Sequence, residues 1–386
     1  MSVSKVVVVG GGMVGAACAL KLAEQGLSVT VIEQHVIDPH SVLASEQVDI
    51  RVSAINRFSE QLLEDLEAMT LLQQTRLAQY TQLEAYEDKP EQLLFDSEEL
   101  GSTHLGHLVE NKLIQAALWA QFERHNIKVS SPKGHAKKLI QTSQAAVLVY
   151  DDEQFECDLV IAADGGRSHI RTLSGIGVTG WQYQQQCMGV LIKLDAPQQT
   201  KTWQQFKPSG PIAFLPMHYP YANLIWYDDG TKLKELNQLS HDALKSLITE
   251  HFFALPGDFE VMSSAVFPLT RQHANTYIGN RLALVGDAAH TINPLAGQGV
   301  NLGFKDVVAL AEALDKHDAL DIALKHYQRV RRGDNLLMMS MMDACYFGFS
   351  NNLSPLKSLR NAVLSLANHA GPLKKQVLKH AMGGIT

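Results

Sequence analysis

The sequence predicts an α/β fold in which a Rossmann-like dinucleotide-binding unit is interleaved with a mainly β region and closed by helices. Three observations carry that reading. Four valines run into Gly10-Gly11-Gly12-Met13-Val14-Gly15, a second apolar run ends in Glu33, and two later apolar runs end in Asp164-Gly165 and Gly286-Asp287.

Taken in order, Lys5 to Val9 reads as a strand, Met13 to Gln25 as a helix ended by Gly26, and Ser28 to Glu33 as a second strand. Gly10 makes the tight turn, Gly12 lets a pyrophosphate approach the positive helix N-terminus that Met13 and Val14 open, and Gly15 with Ala19 allows close helix–sheet packing. Glu33 is placed to accept hydrogen bonds from an adenosine ribose, and its charge would repel a 2′-phosphate. FAD or NAD therefore suits the site and NADP does not.

Farther on, Arg51 stands in a polar stretch where it can meet a phosphate or flavin, or serve as a surface arginine. Helical patterns follow over Ser53 to Met69 and Val109 to Arg124, then short alternating strands from Val129 to Asp158 and a buried strand from Asp158 to Ala163. Cys187 to Trp226 is rich in aromatic and β-branched residues and turns at Pro208-Ser-Gly-Pro211, which reads as a separate sheet. Near Arg281 the chain returns to the first region with a strand over Leu282 to Val285. Helices are expected over Gly299 to Leu314, Ile322 to Phe347 and Pro355 to Met382, the last broken at Gly371-Pro372. The domain reading is a dinucleotide-binding part from 1–75, 105–180 and 270–315, a substrate part from 76–104 and 181–269, and a C-terminal helical region over 316–386.

Composition narrows the function classes. The chain has 386 residues, is 46% hydrophobic and carries a formal charge of -7, which suits a large globular core and argues against general nucleic-acid binding. Its four cysteines are scattered, without CxxC or paired spacing, so neither a disulfide framework nor a zinc site is indicated, and no metal is expected. No signal peptide is expected, nor any membrane span, since no apolar run reaches about 18 residues. A cytoplasmic protein is the simplest expectation. The tail departs from the acidic balance: beyond Asp343 there is no acid, while Lys357, Arg360, Lys374, Lys375 and Lys379 flank an apolar stripe of Leu356, Leu359, Val363 and Leu366. Docking on an anionic membrane, binding of a partner subunit, and simple packing on the protein itself all fit that pattern.

The chemistry concentrates after Gly286-Asp287. The run Ala288-Ala-His290-Thr-Ile-Asn-Pro294-Leu-Ala-Gly297-Gln-Gly299-Val300-Asn301 combines glycines that permit close backbone approach with the start of a helix. Such an N-terminus stabilises negative charge on the N1/C2 side of a reduced isoalloxazine, while Asp287 can accept from a ribityl hydroxyl. His290 is the titratable side chain of this run, suited to proton management or to plain packing. Phe206, Phe214, Leu215 and Pro216, with Trp203 and Trp226, could form a dry wall or ordinary core.

With these motifs on the page, the sequence resembles the class A flavoprotein monooxygenases. Gly10 to Gly15, Asp164-Gly165 through Arg171, and Gly286-Asp287 through Asn301 stand where that family has GxGxxG, DG and GD. Over nearly the whole chain it is similar to the ubiquinone-biosynthesis hydroxylases. The segments Trp181-Gln-Tyr183, Thr202-Trp-Gln-Gln-Phe206, Ala213-Phe-Leu-Pro216, Phe267-Pro-Leu-Thr-Arg271 and Tyr346-Phe-Gly-Phe-Ser-Asn-Asn352 look most like the branch acting on a polyprenylated methoxy-methyl-benzoquinol. The resemblance implies a para-hydroxybenzoate hydroxylase-like fold, FAD as cofactor, NADH or NADPH as donor, and insertion of one oxygen from O₂ through a C4a-hydroperoxyflavin. It also implies cofactor contacts at Asn111, Asp164, Gly165, Pro294, Gly297, Gly299, Val300 and Asn301, catalytic shaping by His290, Pro294 and Gly297, and Arg167 and Arg171 as donor or FAD candidates. Peripheral contact with the inner membrane or with other ubiquinone-biosynthesis proteins is a further implication. Three alternatives stay open: hydroxylation at another ring carbon or of an earlier polyprenylphenol, a flavin oxidoreductase without oxygen insertion, and a non-catalytic FAD-bound subunit.

Overall fold

The glycine turn sits at the edge of a six-stranded sheet, and the order of those strands explains why three distant loops meet there. The computed structural model describes residues 3–87, 92–252, 254–293 and 299–349, with Asn368, Gly371, Lys374 and Gly383. Strand β1 (Lys5–Val9) leads to helix α1 (Met13–Glu24) and strand β2 (Ser28–Ile32), and β3 (Leu159–Ala162) pairs in parallel with the other side of β1. Leu282–Leu284 pairs in parallel with β3, so the ends of β1, β3 and Leu282–Leu284 open on one edge. That edge is where an open α/β sheet binds ligands. Val6, Val7 and Val8 are fully buried, as a continuous valine run in a strand covered on both faces requires.

The second sheet has eight strands and is built on two long ones, β4 (Val178–Asp195) and β5 (Asp258–Ala274), paired antiparallel. It also takes in Gln82–Tyr86 and Gln92–Asp96 from early in the chain, and His290–Thr291 at its other edge. Alternation sorts its two faces. Met188, Val190, Ile192, Trp203, Ile212, Phe214, Leu224 and Trp226 point to one face, covered by the helices Gly230–Leu236 and His241–His251. Cys187, Tyr227 and Ile225 point to the other, toward the end of the long C-terminal helix.

Two further helices complete the layer beside the first sheet. Helix α2 (Gly299–Lys316) packs on α1, and α3 (Leu320–Phe349) packs on α2.

Sequence and structure differ at two element starts. Val52–Asn56 is a strand of a small sheet with Gly106–Glu110 and Leu77–Tyr80, and the helix expected from Ser53 begins only at Arg57. Asn56 stops the strand and caps the helix, its Oδ1 accepting from the Ser59 N–H at 3.1 Å. Likewise Val109 and Glu110 end a strand, and the second amphipathic helix runs Asn111–Trp119. The helix expected over Pro355 to Met382 lies outside the described residues except for the few named above.

Candidate functional site

The glycine loop is held from both sides. The Gly11 carbonyl accepts from Trp119 Nε1 at 2.7 Å and Gln115 Nε2 at 2.8 Å, and its N–H donates to Glu33 Oε2 at 2.7 Å. Gly10 has φ +101°, and a Cβ there would lie 2.4 Å from the Ala163 carbonyl; a Cβ on Gly15 would lie 1.9 Å from the Gly10 carbonyl. Backbone crowding therefore demands glycine at both positions. Gly12 is different, for a Cβ would meet no protein atom within 4 Å. Gly12 is the N-cap of α1 with no side-chain cap, and no acid stands in the first turn. The amides of Met13, Val14 and Gly15 are thus left to an anion from outside the helix, which is what a pyrophosphate needs. Glu33 also accepts from the His35 N–H at 2.9 Å, and a carboxylate with about four acceptor sites keeps capacity for ribose hydroxyls. On these grounds the residues fit FAD.

Val14 brings the first loop onto the last. A Cβ on Gly303 would lie 2.5 Å from Val14 Cγ2, and one on Gly286 would lie 3.1 Å from Val14 Cγ1. Asp287 follows Gly286 and is exposed, although protein rings it closely enough for loss of water to raise its pKa. Its carboxylate is open to a hydroxyl of a bound molecule.

Asp164 behaves otherwise. Its carboxylate accepts from the Ser168 hydroxyl and from the His169 and Ile170 N–H groups at 2.8 and 3.1 Å, so it caps the helix His169–Leu173. Gly165, with φ +81°, makes the turn that permits this. Arg171 is buried and donates to the Ala288 carbonyl at 2.8 Å and the Gly166 carbonyl at 2.9 Å, tying the DG loop to the GD loop; it is not free for a donor nucleotide.

His290 lies inside, not in the cleft. It is 2% exposed, and its Nε2 lies 2.5 Å from Asp306 Oδ2. Asp306 is wholly buried and also accepts from the Gly286 N–H at 3.1 Å, Arg331 Nε at 2.8 Å and Asn335 Nδ2 at 3.0 Å. Burial works to raise the Asp306 pKa, but His290 and Arg331 outweigh it and hold the carboxyl below its ordinary range. Asn335 continues to the Tyr277 hydroxyl at 3.3 Å, which lies 3.0 Å from His273 Nε2. This network anchors the GD loop on α2 and α3, and His290 is one of its positioning members. Sequence reasoning did not find Asp306, Arg331 or Asn335; the i, i+4 spacing of the last two on a helix was the available signal.

Asn301 is a clamp. Its Oδ1 accepts from the Asn56 N–H at 3.1 Å and the Ser59 hydroxyl at 2.6 Å, and its Nδ2 donates to the Ala54 carbonyl at 2.9 Å. It fastens the start of α2 to the strand Val52–Asn56, beside Gly299, which is open, and Val300, which is buried. Arg51 and Asn111 adjoin, the Asn111 N–H donating to the Arg51 carbonyl at 2.9 Å and its side chain accepting from the Ser53 hydroxyl at 2.6 Å. The exposed Arg51 guanidinium lies 5.3 Å from the centre of the Phe267 ring. Pro294 and Gly297 lie outside the described residues.

The four wall residues divide. Phe214 is 2% exposed and stacks on Trp203 beneath the covering helices, so it belongs to the core, as do Trp203 and Trp226. The period of two along the strand Ile212–Pro216 places Leu215 on the opposite face. Pro216 is buried at the strand end. Phe206 stacks on Phe349 with ring centres 4.0 Å apart, and Tyr346 packs on Tyr183 at 4.6 Å. The end of α3 therefore closes over this face. Farther along the same face, Asn223 Nδ2 donates to the Ile50 carbonyl at 2.6 Å, and Gly189 leaves room for Ile50. Asn223, Gly189 and Ile50 went unnoticed in the sequence because only the sheet register brings them together.

A glycine turn on an uncapped helix, a ribose-ready acid and an open aspartate on the facing loop define a flavin-binding protein of the monooxygenase fold. The chain matches the family model described as FAD binding domain over residues 3–333 and belongs to that family; it is an FAD-dependent monooxygenase. It is 42% identical over 98% of both chains to the 3-demethoxyubiquinol 3-hydroxylase of Escherichia coli strain K12. It is 32% identical to the ubiquinone hydroxylase UbiL of Rhodospirillum rubrum, over 99% of this chain and 90% of that one. Among solved structures, p-nitrophenol 4-monooxygenase PnpA from Pseudomonas putida DLL-E4 superposes with a TM-score of 0.79 at 19% identity, covering 99% of each chain, which shows the shared fold.

Proposed function

We propose that this enzyme inserts one oxygen atom of O₂ into the ring of a polyprenylated methoxy-methyl-benzoquinol, the other oxygen leaving as water with two electrons from NADH or NADPH. The observation that carries the proposal is the end-to-end likeness to the Escherichia coli hydroxylase. The bound flavin supplies the activation of O₂. The chain's own residues bind, orient and keep water out. Gly12 and the first amides of α1 would take the pyrophosphate, Glu33 the adenosine ribose, Asp287 a ribityl hydroxyl, and the backbone at Gly299 and Val300 the flavin ring. A quinol ring is already activated by two oxygens, so its main requirement is a dry, shaped wall, which Leu215, Phe206 and Tyr346 would supply on the sheet face that the end of α3 covers.

Contact with an anionic membrane or a partner protein is a second part of the proposal. Lys374 is not available for it, being buried and paired with Glu99 Oε1 at 2.6 Å. Leu337 and Met341 are exposed along α3 and offer an apolar surface for such contact. No helix among the described residues is long and apolar enough to cross a membrane.

The test is anaerobic reduction of the FAD-loaded protein by NADH and by NADPH, with and without a short-chain demethoxyubiquinol, followed by O₂ and product mass analysis. A product heavier by one oxygen is expected. Reduction that releases only H₂O₂ with every quinol offered would overturn the substrate assignment, and absence of reduction would favour a non-catalytic subunit.

A further inference from the structure

Away from the flavin loops, Glu60, His104 and His107 converge in a buried cluster whose three ligand atoms all lie within 4.8 Å of one another. Glu60 comes from the helix Arg57–Asp65, His107 from the strand Gly106–Glu110, and His104 from the turn just before it. Glu60 Oε2 is 2.9 Å from His104 Nε2 and 3.6 Å from His107 Nδ1. Ligands at about 2.0–2.2 Å in a tetrahedral set stand about 3.3–3.6 Å apart, so of the two Glu60 separations one matches that range and the other falls about 0.4 Å short of it.

The proton arrangement also suits a cation. His104 Nδ1 lies 2.8 Å from the Thr103 hydroxyl, which can hold the proton on that nitrogen and leave Nε2 as a lone pair, the outer-sphere arrangement of a ligating imidazole. Arg57 Nη1 sits 2.5 Å from both His104 Nε2 and Glu60 Oε2, in keeping with such a lone pair and showing that positive charge is favoured there. His107 Nδ1 is buried and has no hydrogen-bond partner, although it points at a carboxylate. An orphaned nitrogen of this kind is costly unless a cation completes it.

We propose that Glu60, His104 and His107 form a site for a divalent transition-metal ion of the Zn²⁺ class, with Arg57 as its gate. The Arg57 side chain is 31% exposed and can swing to solvent, which opens both the entry path and the coordination position it now covers. The neighbouring Ser59 holds Asn301, so an ion here would stiffen the joint between the small sheet and the start of α2.

The experiment is calorimetric titration of the full chain, freed of metal with a chelator, with Zn²⁺ alone at pH 7.5, run with thermal melting. One equivalent is expected to bind in the micromolar range or tighter, raising the melting temperature by about 3 °C at about a hundredfold excess over Kd. Glu60→Gln and His107→Leu should each weaken binding at least about a hundredfold, while Arg57→Ala should tighten it about tenfold by removing the competing cation. FAD content and metal-free melting identify any variant that fails to fold. Absence of Zn²⁺ binding to wild type, or binding that Glu60→Gln and His107→Leu leave unchanged, would overturn the site.

Discussion

Asp164 and Asp287 leave neighbouring parallel strands of one sheet, each beside a glycine of positive φ, and they do opposite things. Asp164 turns back and caps the helix that follows it, so its loop closes on itself. Asp287 stays open because the neighbouring Gly286 N–H is taken by Asp306, a residue of α2, and because α3 braces Asp306 through Arg331 and Asn335. A loop that caps its own helix has no free carboxylate to offer a ligand. A loop held from outside does, at the cost of a buried polar network.

That difference is tested most severely at Arg331. Replacing it with alanine leaves Asp306 as a buried carboxylate without its guanidinium, and a loss of about 3–5 kcal/mol of stability is expected from denaturant unfolding. A loss below about 1 kcal/mol would mean that the GD loop does not depend on the network.

The same network predicts an acid sensitivity. Burial, with help from Arg332, His290 and Arg271, pushes the His273 pKa down from 6.5 to about 4. The unfolded chain then takes up the proton first, so the stability due to neutral His273 is whole above about pH 6.5 and lost as pH falls toward 4. On the order of 3 kcal/mol is at stake. His273→Gln should flatten the stability profile across that window; an unchanged slope would place the sensitivity elsewhere.

Asp287→Ala should act on the cofactor and not on the fold. Loss of a charge-assisted hydrogen bond predicts FAD affinity lower by about 10–100-fold, read by fluorescence titration, with melting of the FAD-free protein unchanged. Equal affinity in the variant would remove Asp287 from the cofactor site.

Sequence reasoning reached the first of these loops more easily than the second, for a physical reason. Gly10, Gly15 and Glu33 act through local geometry, so their spacing along 24 residues already encodes their roles. The strand–helix boundaries at Asn56 and Asn111 were blurred because a short strand and a helical start share the same apolar residues. Asp306 could not be read at all, since its partners Gly286, His290, Arg331 and Asn335 come from three elements that only packing joins. Phe214 looked like a pocket wall for the complementary reason: an aromatic on a strand advertises burial without saying on which face, and the helices that claim it lie beyond residue 229.

The smallest effect is expected at Asp164, and its size is what separates the two loops. Asp164→Ala removes the acceptor of the first two helical amides, Ser168 remaining the N-cap, and should cost about 1 kcal/mol of stability, because the His169 and Ile170 N–H groups can turn to water at a half-buried site. The Ser168 hydroxyl still accepts from the Arg171 N–H at 3.0 Å, and Arg171 still binds the Gly166 and Ala288 carbonyls, so the path from the DG loop to the GD loop survives. FAD affinity should therefore fall less than about threefold, well short of the Asp287 effect. A loss of FAD as large as that of Asp287→Ala would show that Asp164 leaves its helix to meet the cofactor, and that the two aspartates are partners at one ligand and not alternatives in loop design.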